Sequence, residues 1–254
     1  IIEKVNIPDL RTIQNKLPLS NNFYDTLNDV QRKIDWYKEY LKNIDELNKL
    51  SFVKKFELTK NLSVEKVAED IRATLGIDTG FIKSTRKDNY YSKLVHLIEN
   101  IGVFVFTNGV VKNNSTRKLN TDEFRGFALS DEYAPAVFVN NADALSAQIF
   151  TLMHEVAHLW IGESGVSNLE SDSSIEIFCN KVAAEFLMPT KQFKIEWNKS
   201  PIEDNQINII SNMAIKFMVS EFAIGIKAFQ LGLVSQNTLD EIRKLSMMRH
   251  SANK

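Results

Sequence analysis

The chain has almost no cysteine. Its only one, Cys179, excludes an intrachain disulfide and suits a reducing compartment, so the cytoplasm is the expected location. Long apolar runs are also missing. None reaches the roughly 18–20 residues needed to span a bilayer. The start lacks a basic region followed by an apolar core, so neither a membrane span nor a targeting signal is expected. Nor is there an excess of either charge: 31 Lys and Arg against 32 Asp and Glu leave a formal net charge of -1. Nothing global therefore draws the chain to nucleic acid or an anionic surface, and any DNA contact would have to be local. There is no Gly-rich phosphate loop, dinucleotide fingerprint, internal repeat or low-complexity tract. The first residue is Ile1 rather than Met, from which a piece of a longer protein is expected.

What is present is ordinary globular material. With 254 residues, 44% hydrophobic and 25% charged, the chain can bury a substantial core as one large domain or two small ones. Phe23, Leu27, Val30, Ile34, Tyr37, Leu41 and Ile44 recur at alternating spacings of four and three, a narrow helical seam that Asn21 or Asn22 could cap. Burial of this seam on the protein's own body is favoured over dimerisation. "LSVEKVAEDIRATLG" reads as a second helix, with Ser63 as N-cap and Gly76 ending it, and "YYSKLVHLIENIG" as a third, ending at Gly102. The period then shortens. "VFVF" (103–106), "GFALS" (126–130) and "AVFVN" (136–140) read as strands, with a long loop or ragged hairpin between the first two. Beyond 140 the pattern is helical, with helices near 143–161, 173–188, 201–217, 219–231 and 237–247. A small sheet followed by a helical half is α+β. The expected divisions are an N-terminal helical arm (1–60), a central domain (61–200) and a C-terminal helical segment (201–254).

The chemistry centres on "FTLMHEVAHLWIG" at 150–162. Four residues advance a helix by about 400°, so His154 and His158 project from one side and can share a zinc ion. Glu155, rotated by about 100°, is placed to accept a proton from water rather than to ligate. This is the division of labour of metal-assisted hydrolysis. The plain alternative is a core helix, since short matches to H-E-x-x-H arise without metal. Catalytic zinc commonly takes three protein ligands, and the next helix, "SSIEIFCNKVAAEFLMP", offers Glu176 and Glu185. Nine residues, about 900°, put these on opposite faces, so only one can reach the metal. Glu176 is favoured, because Asn180 stacks one turn behind it and could hydrogen-bond a liganding imidazole. Against this, Ser173 and Glu176 could be merely a capping box, and Glu185 an exposed helical carboxylate. Cys179 reads as a small core residue rather than a nucleophile. His96 reads as a satisfied helix residue, His250 as part of a polar tail, and "KSTRKDNYYSK" as a solvated loop leading into a helix rather than a base-stacking patch.

The string from "RGFALS" through "AVFVN" and "FTLMHEVAHLW" to "IEIFCNKVAAEFLMP" resembles the ImmA/IrrE family of zinc metallopeptidase-like proteins over roughly residues 63–190. The resemblance implies a zincin-like α+β fold of the gluzincin type. It implies Zn2+ held by His154, His158 and Glu176, with Glu155 as general base and Asn180 supporting the first histidine. It further implies bacterial regulation, often in mobile elements or stress responses, by cleavage of a protein substrate such as a helix-turn-helix repressor. No helix-turn-helix pattern precedes residue 63, so direct DNA binding is not expected without an upstream domain. The rival expectations are a non-proteolytic regulator or sensor that keeps the metal site, and a toxin-antitoxin or phage-defence component. Strand 136–140 is the expected edge for pairing with an extended substrate. Tyr133 and Arg125 are the candidates for a second oxyanion donor.

Overall fold

The computed structural model describes residues 19–78, 87–162, 173–200 and 205–252; "IPDLRT" near the start and the first four residues of "KSTRKDNYYSK" lie outside them. The side chains of Ser173 and His250 are also outside the description. The described elements are α1 (Asn21–Asn43), α2 (Val64–Thr74), α3 (Lys87–Asn100), β1 (Phe104–Asn108), β2 (Val110–Val111), β3 (Asn114–Lys118), β4 (Gly126–Leu129) and β5 (Ala136–Asn140). There follow α4 (Leu145–Ile161), α5 (Ser173–Leu187), α6 (Thr190–Asn198), α7 (Gln206–Phe217), α8 (Glu221–Gln230) and α9 (Gln236–Ala252). The fold is α+β as expected.

The main sheet has the order β1-β5-β4, with β5 parallel to β1 and antiparallel to β4. The polar stretch after β1 forms the ragged hairpin β2-β3, whose register shifts between Val110 and Val111. Both faces of β4 and β5 are covered, which is why these strands are apolar runs rather than polar-apolar alternations. Phe127, Leu129, Ala136 and Phe138 share a cluster with Phe23, Leu27, Val30 and Ile34 of α1. Ala128, Val137 and Val139 face the other way, into the core built around α4. The seam of α1 is therefore buried on the protein's own sheet, with Ile44 at its far end exposed. Ser20, rather than Asn21 or Asn22, is the N-cap and accepts from the Phe23 N–H. Its own N–H and hydroxyl are held by the Glu123 carboxylate at 2.5 and 3.0 Å, which ties the start of α1 to the loop before β4.

Helix α4 is the central pillar. From Thr151 to Ile161 every residue is buried, as expected for a helix that is apolar all round. Its last turn is closed from outside: the Lys54 N–H donates to the Leu159 carbonyl at 2.9 Å and the Phe56 N–H to the Trp160 carbonyl at 3.1 Å. These satisfy carbonyls that a helix end leaves without partners. Gly162 ends the helix at φ 76°, and a Cβ there would run into Lys54. Phe52 and Val53 of this segment, Val67 of α2, Val182 of α5, Ile210 of α7, Ile224 of α8 and Ile242 of α9 all join the core around α4. Among the described residues no single helix is long and apolar enough to cross a membrane.

One helix, α6, was not anticipated from the sequence, where Met188-Pro189 reads as a break. Pro189 is its N-cap, a position that needs no N–H. The missing side-chain cap is supplied by Glu185, whose carboxylate accepts from the Thr190 N–H and hydroxyl, both at 2.7 Å. Glu185 is thus not the exposed carboxylate expected of it. It is buried and also accepts from Lys227 Nζ of α8 at 2.5 Å.

Candidate metal centre

Helices α4 and α5 bring His154, His158 and Glu176 together, with one donor atom from each lying within 4.8 Å of the others. His154 Nε2 and His158 Nε2 are 3.0 Å apart. Glu176 places Oε2 at 3.1 Å from the first and Oε1 at 3.3 Å from the second. Both histidines are shut off from solvent, while the Glu176 side chain is 15% exposed. The helical period explains the selection on α5. Glu176, Cys179, Asn180 and Ala183 fall at i, i+3, i+4 and i+7 on the face toward α4, whereas Glu185 points to α6 and α8.

Asn180 lies where expected. Its Oδ1 is 2.9 Å from His154 Nδ1, so that ring nitrogen carries the proton and donates it. The Nε2 of His154 is then the ring atom turned toward His158 and Glu176. Cys179 is wholly buried, as a core residue should be, but its thiol also lies within hydrogen-bonding reach of the His158 ring. Sequence reasoning missed this contact. The available signal was its position three residues after Glu176, on the same helical face.

The electrostatics of the trio call for positive charge. Burial alone would raise the Glu176 carboxyl, but the imidazoles of His154 and His158 outweigh it and draw the pKa down to about 2. Burial alone would lower His158, but Cys179, Glu176 and Glu155 outweigh it and hold its pKa well above 6.5. Neither Glu176 oxygen is aligned for a hydrogen bond, although both are buried. Two ring nitrogens and a carboxylate converging on one point fit a cation. The distances agree: bonds of about 2.0–2.1 Å in tetrahedral directions set ligand atoms about 3.3 Å apart, against the observed 3.0, 3.1 and 3.3 Å.

Glu155 does not join the ligands. It is 1% exposed and leans toward β4, with Oε1 beside Gly126. Its charge is nevertheless felt at His158. Arg125 faces Asp143 at 3.4 Å, just before α4, and Tyr133 sits under Lys49 Nζ. A cavity of about 920 Å³, lined by Phe150, Ile177, Asn180, Glu185 and Lys227 among others, lies behind Asn180 on the Nδ1 side of His154; none of the trio lines it.

The expected substrate edge is corrected by the sheet order. β5, residues 136–140, lies between β1 and β4 and has no free edge. Its apolar character, read as an edge strand, is that of a central one. β4 is the outer strand beside Glu155. The Asn140 N–H donates to the Arg125 carbonyl at 2.8 Å, and antiparallel alternation then turns the backbone groups of Gly126 and Ala128 away from β5.

A small mixed sheet backed by a buried HExxH helix, with a carboxylate from the following helix as third ligand, defines a zincin-like metallopeptidase domain. The chain belongs to the Peptidase M78 family, whose model, described as an IrrE N-terminal-like domain, matches residues 98–229. That span runs from the end of α3 into α8 and holds His154, Glu155, His158, Glu176 and Asn180. No curated protein matches the chain.

Proposed function

We propose that this chain is a zinc-dependent endopeptidase that cleaves a regulatory protein, such as a helix-turn-helix repressor, in the cytoplasm. The observation that carries the metal and the reaction is the convergence of His154, His158 and Glu176 beside a buried, non-liganding Glu155. Two imidazoles and one carboxylate are a donor set that suits zinc and leaves a further position for the reacting groups. Zinc bound there would acidify water and polarise a peptide carbonyl. Glu155 takes the proton from the attacking water and returns it to the departing amide nitrogen, so that no net proton is consumed as the C–N bond breaks. Asn180 fixes the tautomer of His154, which makes Nε2 the nitrogen that would ligate.

An extended substrate would add to the outer edge of β4, where Gly126 and Ala128 offer backbone groups next to Glu155. The regulatory substrate is supported by the resemblance to ImmA/IrrE proteins, whose usual biology is repressor cleavage. The test is co-expression with a DNA-binding regulator encoded nearby. Wild type is expected to cleave it, and Glu155→Gln, which cannot accept the proton, to cleave at least about 10²-fold more slowly. An intact regulator in the wild type, with the same biological output from both forms, would support a non-proteolytic regulator instead.

A further inference from the structure

Gly126 has an unusual reason to be glycine. Its φ is not among the positive values, so the backbone does not demand it, and glycine weakens a strand unless something approaches closely. What approaches is α4. A Cβ at 126 would lie 2.6 Å from Thr151 Cγ2, 2.6 Å from the Phe138 carbonyl oxygen and 3.1 Å from Glu155 Oε1. Thr151 and Glu155 are one helical turn apart, so they straddle the bare α-carbon. The Thr151 methyl closes one end of the slot and the Glu155 carboxylate occupies the other.

We propose that Gly126 and Thr151 are positioning residues that set where the Glu155 carboxylate stands. The inference rests on the reading of Glu155 as general base and adds the means by which it is held. The carboxylate ends a side chain with three rotatable bonds, and a misplacement of about 1 Å in such a group lowers turnover by about 10²-fold. Close packing of α4 on β4 at Gly126 limits where that carboxylate can stand. A side chain at 126 would fill the slot. Loss of the methyl at 151 would open it.

The test combines a structure with a double-mutant cycle. In crystals of the zinc-loaded Gly126→Ala protein, Glu155 Oε1 is expected to move by about 1 Å or more while His154, His158 and Glu176 superpose on wild type. On a quenched fluorescent peptide mixture, Gly126→Ala should lower kcat by about 10-fold or more, with KM little changed. Glu155→Asp withdraws the carboxylate from the slot by one methylene, and on that background Gly126→Ala should have less than about a third of its effect. An unmoved Glu155, a trio displaced along with it, or an equal loss on both backgrounds would overturn the proposal. Should Gly126→Ala fail to fold, Thr151→Ser decides. It should leave zinc content unchanged, give Glu155 more than one conformer and lower kcat, whereas one wild-type conformer with wild-type kcat would overturn it. A wild type that hydrolyses no peptide would count against the peptidase reading alone, because the crystallographic arm still reports on the slot.

Discussion

His154, Glu155 and His158 were legible from a pentapeptide, because a helix converts a spacing of four into a shared side and the apolar neighbours ensure the helix. Choosing Glu176 over Glu185 needed one more step, a half-turn difference in facing. Three details were not legible. The Cys179 contact with His158 and the slot at Gly126 depend on how two elements are pressed together, which no local pattern encodes. The ion pair of Glu185 with Lys227 joins residues on separate helices. At this scale Asn180 supplies a sharp prediction. Asn180→Ala removes the acceptor that fixes the His154 tautomer and should weaken zinc binding by about 10- to 100-fold, read by competition with a chromogenic chelator. Unchanged affinity would mean that Asn180 merely touches the ring.

Elements were legible where their own pattern was strong and obscure where a partner decided. Helices α2, α4 and α5 lie within a few residues of their expected bounds because caps and apolar periods agree. The start of α6 depends on a carboxylate borrowed from α5, so the sequence pattern passes from the helix near 173–188 to the one near 201–217 without it. β5 looked like an edge because its parallel neighbour β1 precedes it by about thirty residues and pairing across that distance leaves no local mark. The seam of α1 was read correctly as internal, and its energetic weight can be stated. Ile34 is 1% exposed against the sheet. Ile34→Ala should therefore destabilise the protein by about 2–5 kcal/mol in urea unfolding. Light scattering should show a mass independent of concentration for both forms. A concentration-dependent dimer that Ile34→Ala abolishes would assign the seam to self-association.

For the whole molecule, the core around α4 takes residues from Phe52 to Ile242, so the metal centre is supported from both directions along the chain. One distant reporter of that support is Glu196 on α6, which contacts Lys216 of α7 and lies 3.1 Å from Lys199. Burial would raise its carboxyl, but the two lysines outweigh it and hold it below its ordinary 4.5. Its stabilisation is thus fully present above 4.5 and is lost as the pH falls through the lower folded value. Glu196→Gln should be less stable than wild type near neutral pH, and the gap should close on acidification. A gap that stays constant would place the effect in packing rather than charge. The central claim, that His154, His158 and Glu176 form a metal centre, is tested most directly by metal content after zinc loading and dialysis in wild type, Glu176→Ala and Glu185→Gln. One zinc per chain in wild type and Glu185→Gln, with loss in Glu176→Ala, is the predicted result. Zinc kept by Glu176→Ala and lost by Glu185→Gln, or none held by wild type, would contradict it.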